Sequence, residues 1–180
     1  MSGLGDLSNA FRGWVQLLTG KPDAGRFFRL DYFGLVIAIG WYTAAVLLVV
    51  AVQSSAIGLP SVNSFLFGLF AQAVTIGVLG LAIAQSLKFL KADVPLNRLL
   101  VPVLYALCFM FVLSIPLTLV SPGAGLIAVL AAGYLIYRAA GQLAALPRRL
   151  AGALTLLCVI VLVVVPNALY IVFLQIPSPA

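Results

Sequence analysis

The residues able to do chemistry are few and badly placed for it. The chain of 180 residues has no histidine, four carboxylates and two cysteines. The acids Asp6, Asp23, Asp31 and Asp93 are scattered along the chain, and no two of them form an acid–base couple. Without histidine there is no HExxH and no Ser/His/Asp set. Cys108 and Cys158 fall inside apolar runs, where a thiol behaves as a small buried hydrophobe, and neither a disulfide framework nor a zinc site can be read from them. Catalysis or ion coupling inside a membrane leaves ionisable groups in the spanning segments, because such groups are costly and persist where they are used. The four acids all map at or beyond the ends of the apolar runs, so no enzyme activity, cofactor or metal is expected.

Two sets of side chains remain as candidates. The polar residues within apolar runs are Gln72, Thr75, Tyr105 and Asn167, with Gln85, Ser114, Thr118, Tyr134 and Tyr170 beside them. They can line a path for a neutral or lipid-like substrate, or hydrogen-bond between helices at about 0.6 kcal/mol each; the second reading is preferred. Asn167 is singled out because Pro166 beside it frees a carbonyl one turn back. The other set is basic and aromatic, namely Phe11, Arg12, Trp14, Arg26, Arg29, Lys88, Lys91, Arg98, Arg148 and Arg149. These residues suit contact with anionic headgroups or with partner proteins at a membrane surface.

The elements that must position these residues follow from composition. With 64% hydrophobic and only 8% charged residues, the chain reads as an all-α, polytopic membrane protein. Phe33 to Val52 is an uncharged stretch of the length a helix needs to cross the hydrocarbon core. The same rule gives five spans at about 33–53, 64–87, 99–120, 124–143 and 150–174, packed as a five-helix bundle. Residues 1–32 form a segment outside the bilayer, and 175–180 form a short tail. Within the first segment, Leu4, Leu7, Phe11, Trp14, Val15 and Leu18 recur at spacings of three and four, while Asp6, Asn9, Arg12 and Gln16 fall elsewhere. That predicts an amphipathic helix over about 4–18, with Asp6 as N-cap and Thr19-Gly20 before Pro22 as its stop. It lies in the headgroup plane or packs onto the ends of the spans. A second short helical turn begins at Pro22.

Charge fixes the expected orientation. The ten basic residues fall before the first span, between the second and third, and around the turn from the fourth to the fifth, where Arg138 is expected to snorkel to the interface. The intervening segments 53–63, 121–123 and 175–180 carry none. The positive-inside rule therefore puts the N-terminus in the cytoplasm and the C-terminus across the membrane. A net charge of +6 distributed in this way is a footprint of orientation, and nucleic acid is not an expected partner. Small residues four apart, as in Gly34-xxx-Ala38, Gly40-xxx-Ala44, Ala73-xxx-Gly77 and Gly80-xxx-Ala84, point to close packing of helices. Pro102 and Pro116 in the third span and Pro166 in the fifth are expected to bend those helices unless neighbours supply hydrogen-bond partners.

The stretch LLTGKPDAGRFFRLD, the Asp31-Tyr32-Phe33-Gly34 lead-in to the first span, the segment FLKADVPLNRLLVPVLYALCFMF with its Tyr105-Ala106 pair, and GYLIYRAAGQLAALPRRLAGAL together resemble the Yip-type membrane domain, the family of Ypt/Rab-interacting proteins and their bacterial relatives. The likeness covers about Leu17 to Val165, with Leu35 standing where that family carries a proline after the glycine. It implies five spans, a cytoplasmic N-terminal region and a role without chemistry, exercised through partners or membrane organisation. The composition, rich in Ala, Leu, Gly and Arg, suggests a bacterial inner membrane. The expected function is that of a scaffold or accessory subunit, binding other membrane proteins, or itself, through its helices and basic loops, and anionic phospholipid at its surface. The alternative is a small permease-like or lipid-handling protein using polar-lined, kinked third and fifth spans.

Overall fold

The computed structural model describes residues 3–92 and 94–174; Asp93 and the expected tail 175–180 lie outside it. Among the described residues there are six α-helices and no strand: α1 (Gly3–Thr19), α2 (Tyr32–Ile57), α3 (Val62–Phe89), α4 (Asn97–Val120), α5 (Gly125–Leu143) and α6 (Arg148–Leu174). Two 3-10 turns, Pro22–Phe27 and Pro122–Ala124, join α1 to α2 and α4 to α5. Helices α2 to α6 are long and apolar enough to cross a membrane. Each contains one of the five expected spans almost in full, and α2 and α3 run two to four residues beyond the expected ends.

The ends of the helices have local causes. Asp31 caps α2, its Oδ1 accepting the Gly34 N–H at 2.7 Å. Gly34 is required there, because a Cβ at that position would stand 1.8 Å from the Arg29 carbonyl oxygen. Ser61 caps α3 through the Ser64 N–H. At its C-terminal end α3 closes in a Schellman arrangement: Ala92 N–H bonds Leu87 O, Lys91 N–H bonds Lys88 O, and Lys91 takes a positive φ of 50°. The prolines in α4 and α6 leave each a single helix in which nearby side chains bond the backbone, Ser114 to Phe111 O and Asn167 to Val163 O.

Helix α4 is the centre of the bundle. Its most apolar window is 56% buried against 11% for α6, and residues 99–108 are buried without a break. It packs between α2 and α5; α5 in turn packs on α6, and α6 on α3. The contacts fix the directions. Cys108 Sγ lies 3.6 Å from the Trp41 carbonyl and the Phe111 ring meets Tyr42 edge-on, so α2 and α4 run parallel. Phe67, near the start of α3, stacks on Phe173, near the end of α6, so those two run antiparallel. Consecutive helices α2 and α3 pack poorly on each other, and their seam is an open groove.

The small-residue pairs divide between inside and outside. Gly34 and Ala38 are buried, and Gly80 approaches the Leu100 side chain, whereas Gly40, Ala44, Ala73 and Gly77 are exposed. Large apolar side chains cover the outer faces of the bundle, including Leu47, Leu66, Leu81, Leu130, Leu156 and Val164. A helix apolar on all sides is the form that suits a lipid surround.

Candidate functional site: a platform at the charged end

The topology gathers the basic residues at one end of the bundle. Arg26 and Arg29 precede α2, Lys88 and Lys91 end α3, Arg98 begins α4, Arg138 lies in the last turns of α5, and Arg148 and Arg149 begin α6. Arg12, Lys21, Lys88, Lys91, Arg98, Arg148 and Arg149 are exposed. Ion pairs join Arg26 to Asp23 at 3.4 Å and Arg29 to Asp31 at 3.0 Å. Arg29 also places its guanidinium 4.4 Å from the Phe33 ring centroid, so it is tied to the start of α2 on two sides. The Gly34 N–H, and then the Arg29 guanidinium, hold the Asp31 carboxyl below its ordinary pKa.

Helix α1 docks on this end by a face other than the one its periodicity suggests. Its buried residues are Asp6, Ala10, Gly13, Trp14 and Leu17. The expected apolar stripe is split: Trp14 turns inward, while Phe11, Val15 and Leu18 are exposed. Small residues make the difference. A Cβ on Gly13 would stand 2.8 Å from the Phe28 ring, so the glycine lets the helix settle onto the turn that precedes α2. Trp14, expected as a surface contact, is instead 2% exposed and meets Phe28 edge-on at 5.6 Å; Phe28 in turn leans on Tyr105 of α4. Phe11 stays 59% exposed, with one edge against Phe109. Asp6 is not the N-cap, because the helix begins at Gly3, and its side chain is buried.

The C-terminus of α1 is held from across the chain. Gly20, with φ of 78°, closes a Schellman turn in which Lys21 N–H bonds Gln16 O and Gly20 N–H bonds Leu17 O. Arg138 donates from Nε at 3.0 Å and from a terminal nitrogen at 2.6 Å to the same Leu17 carbonyl, and at 3.3 Å to Leu18 O. Gln142, one turn later on α5, adds a fourth bond at 3.0 Å to Leu17 O. The last carbonyls of a helix carry partial negative charge and lack intrahelical partners, so a guanidinium there satisfies both needs. Arg138 is thus a strut between α5 and α1, where snorkelling to the interface was expected of it. Charge type and position signalled an unusual arginine; only the fold identified its acceptor. Asp6 Oδ2, Trp14 Nε1 and Gln142 Oε1 are buried under α1 without a hydrogen-bond partner among the described residues.

The polar residues of the spans do not converge on a common path. Gln72 bridges helices, accepting the Tyr42 hydroxyl at 2.6 Å. Thr75 is buried and bonds the carbonyl of Ala71 in its own helix. Tyr105 is buried, its ring tilted against Phe28 of the segment that precedes α2. Asn167 is exposed and its side-chain amide donates to Val163 O at 2.6 Å within its own helix, so it does not bond the Leu162 carbonyl that Pro166 leaves without its backbone donor. Tyr42 is the partner that makes Gln72 structural, a pairing across helices that no local pattern signals. Among the described residues no group of three His, Cys, Asp or Glu side chains comes together.

No family model matches the chain, and neither does any curated protein or solved structure.

Proposed function

We propose that the chain is an integral membrane protein without chemistry of its own, a scaffold or accessory subunit that binds other membrane proteins and anionic phospholipid through its charged end. The observation that carries this reading is the α1 platform. Arg138 and Gln142 lock the helix to α5 by its terminal carbonyls, while Arg12, Phe11, Val15 and Leu18 remain exposed on it. A helix tied down at the backbone and exposed in its side chains is preorganised for contact, which lowers the ordering cost of association. Each lysine or arginine near an anionic surface contributes about 1 kcal/mol.

The reading includes a cytoplasmic N-terminus, a C-terminus across the membrane, and a bacterial inner membrane as its site; the grouping of the basic residues supports the orientation. The likeness of Asp31-Tyr32-Phe33-Gly34 and its surroundings to Yip-type domains agrees with a partner-binding role.

The test is mild solubilisation from the native membrane and mass spectrometry of whatever remains bound at fixed stoichiometry, for the wild type and for a Lys88→Gln, Lys91→Gln, Arg98→Gln variant. A defined partner that the variant releases is the expected result. A wild type that purifies alone, or a partner retained by the neutralised variant with topology unchanged, overturns the proposal.

A further inference from the structure

Between α2 and α3, neighbours in sequence stand apart along an open seam. Two adjoining cavities of about 330 and 380 Å3 share Val46, Leu69 and Gln72 and form a continuous groove. Its walls are apolar, with Ile39, Val50, Phe65 and Ile76 added to Val46 and Leu69. Its polar groups are neutral: Gln53, Ser54 and Ser64 at the uncharged end, Thr43 and the Tyr42–Gln72 pair further along.

Three features select the occupant. The groove opens sideways between two apolar helices, so it fills from the bilayer. The Tyr42–Gln72 bond of 2.6 Å ties the two helices together at its deep part, which bars a further helix of about 10–12 Å diameter from passing between them. From Ser64 to Ile76 the groove follows α3 for about 18 Å at 1.5 Å per residue, close to the roughly 15 Å of half a hydrocarbon core. A single flexible hydrocarbon chain meets all three conditions. With no charged residue on its lining, the groove has nothing to recognise an anionic headgroup.

The geometry points to a binding groove for one acyl chain of a phospholipid from the leaflet at the uncharged end, its ester region beside Gln53, Ser54 and Ser64. This site is separate from the platform at the charged end, and it rests on α2 to α6 being membrane spans.

Gly68 and Ala73 line the groove and are exposed, and a Cβ on Gly68 would meet nothing within 4 Å, so a larger side chain at both is the means of filling the groove. Gly77 has equally open space but lies outside the groove lining, which makes it the matched control. The protein is reconstituted in vesicles of phosphatidylethanolamine and phosphatidylglycerol containing a phosphatidylethanolamine with a photoactivatable acyl chain. After irradiation, labelled peptides are quantified. Labelling of 43–54 and 64–76 is expected to exceed that of the exposed 156–164 face of α6 several-fold, to fall to the α6 level in Gly68→Phe/Ala73→Phe, and to persist in Gly77→Phe. Equal labelling of groove and α6 in the wild type, or unchanged groove labelling in the filled variant, overturns the groove while leaving the spans intact. Absence of label on every helix overturns the spanning reading and the groove together.

Discussion

The corner where α1 meets α5 and the seam between α2 and α3 are built on opposite principles. At the corner, a backbone carbonyl receives a guanidinium and a carboxamide, a glycine admits an aromatic ring, and three aromatic side chains lean on one another in series. At the seam, two long apolar helices are joined by a hydroxyl-to-carboxamide bond and otherwise stand apart. The corner belongs to a segment that is not itself a candidate span, so directional polar contacts must hold what apolar burial alone would not. The seam lies between helices whose surroundings are as apolar as they are, where closing the gap gains little. Polar ties in this protein therefore mark where position matters, and their scarcity marks where the structure can yield.

That contrast can be broken at either side. The largest effect is expected from Arg138→Met, which keeps the side-chain stem and removes the guanidinium. Leu17 O keeps Gln142 and the Gly20 N–H, whereas Leu18 O loses the guanidinium that reaches it at 3.3 Å. Hydrogen bonds to charged groups contribute about 1.5–3 kcal/mol, and losing these should release α1, read as faster hydrogen exchange across 3–19 with α4 unchanged. Uniform exchange in wild type and variant would mean that the aromatic contacts suffice. The three unpartnered polar atoms beneath α1 oppose docking, so the net hold is smaller than the ties alone suggest.

A smaller effect is expected from Tyr42→Phe, which removes the bridge across the seam. The loss should be about 0.6 kcal/mol in a reversible unfolding measurement in bilayer-like detergent. A loss as large as that of Arg138→Met would erase the distinction between the two regions.

The smallest effect concerns pH at the start of α2. The Asp31 carboxyl is held below its ordinary pKa by the Gly34 N–H and by Arg29. A carboxylate whose folded pKa is depressed contributes stability above its unfolded pKa of about 3.9, and that contribution disappears as pH falls through the folded value. Acidification below about pH 4 should therefore loosen the first turn of α2 in the wild type and leave Asp31→Asn insensitive. Exchange at the amides of 32–36 measures this, and the same acid response in both would assign the sensitivity to another group. The group is exposed, so solvent screens the ion pair and the change is modest.

Much of the architecture was legible in order along the chain. Phe33 to Val52 must be a helix in any lipid environment, because no other backbone conformation satisfies its own hydrogen bonds. The Gly20 stop, the turn at Pro22 and the Asp31 lead-in are likewise local, since each rests on side chains within four residues of one another. The polar face of α1 was not legible. Its periodicity ranked Trp14, Phe11 and Val15 together, and the buried side was chosen by Ala10 and Gly13, whose smallness matters only against a particular ring. Gln72 was visible as a polar residue in a span; that its partner is Tyr42 depends on two helices meeting at one level.

From the sequence alone came the helical class, the five apolar spans and the collection of positive charge into alternate connections, because each follows from hydrogen-bond satisfaction and solvation along a contiguous segment. Tertiary structure decided that α4 lies at the centre, that Arg138 reaches the end of a helix about 120 residues earlier in the chain, and that α2 stands off from α3. Those outcomes depend on which surfaces fit, and a side chain's partner across the fold is set by shape and distance that no local pattern encodes.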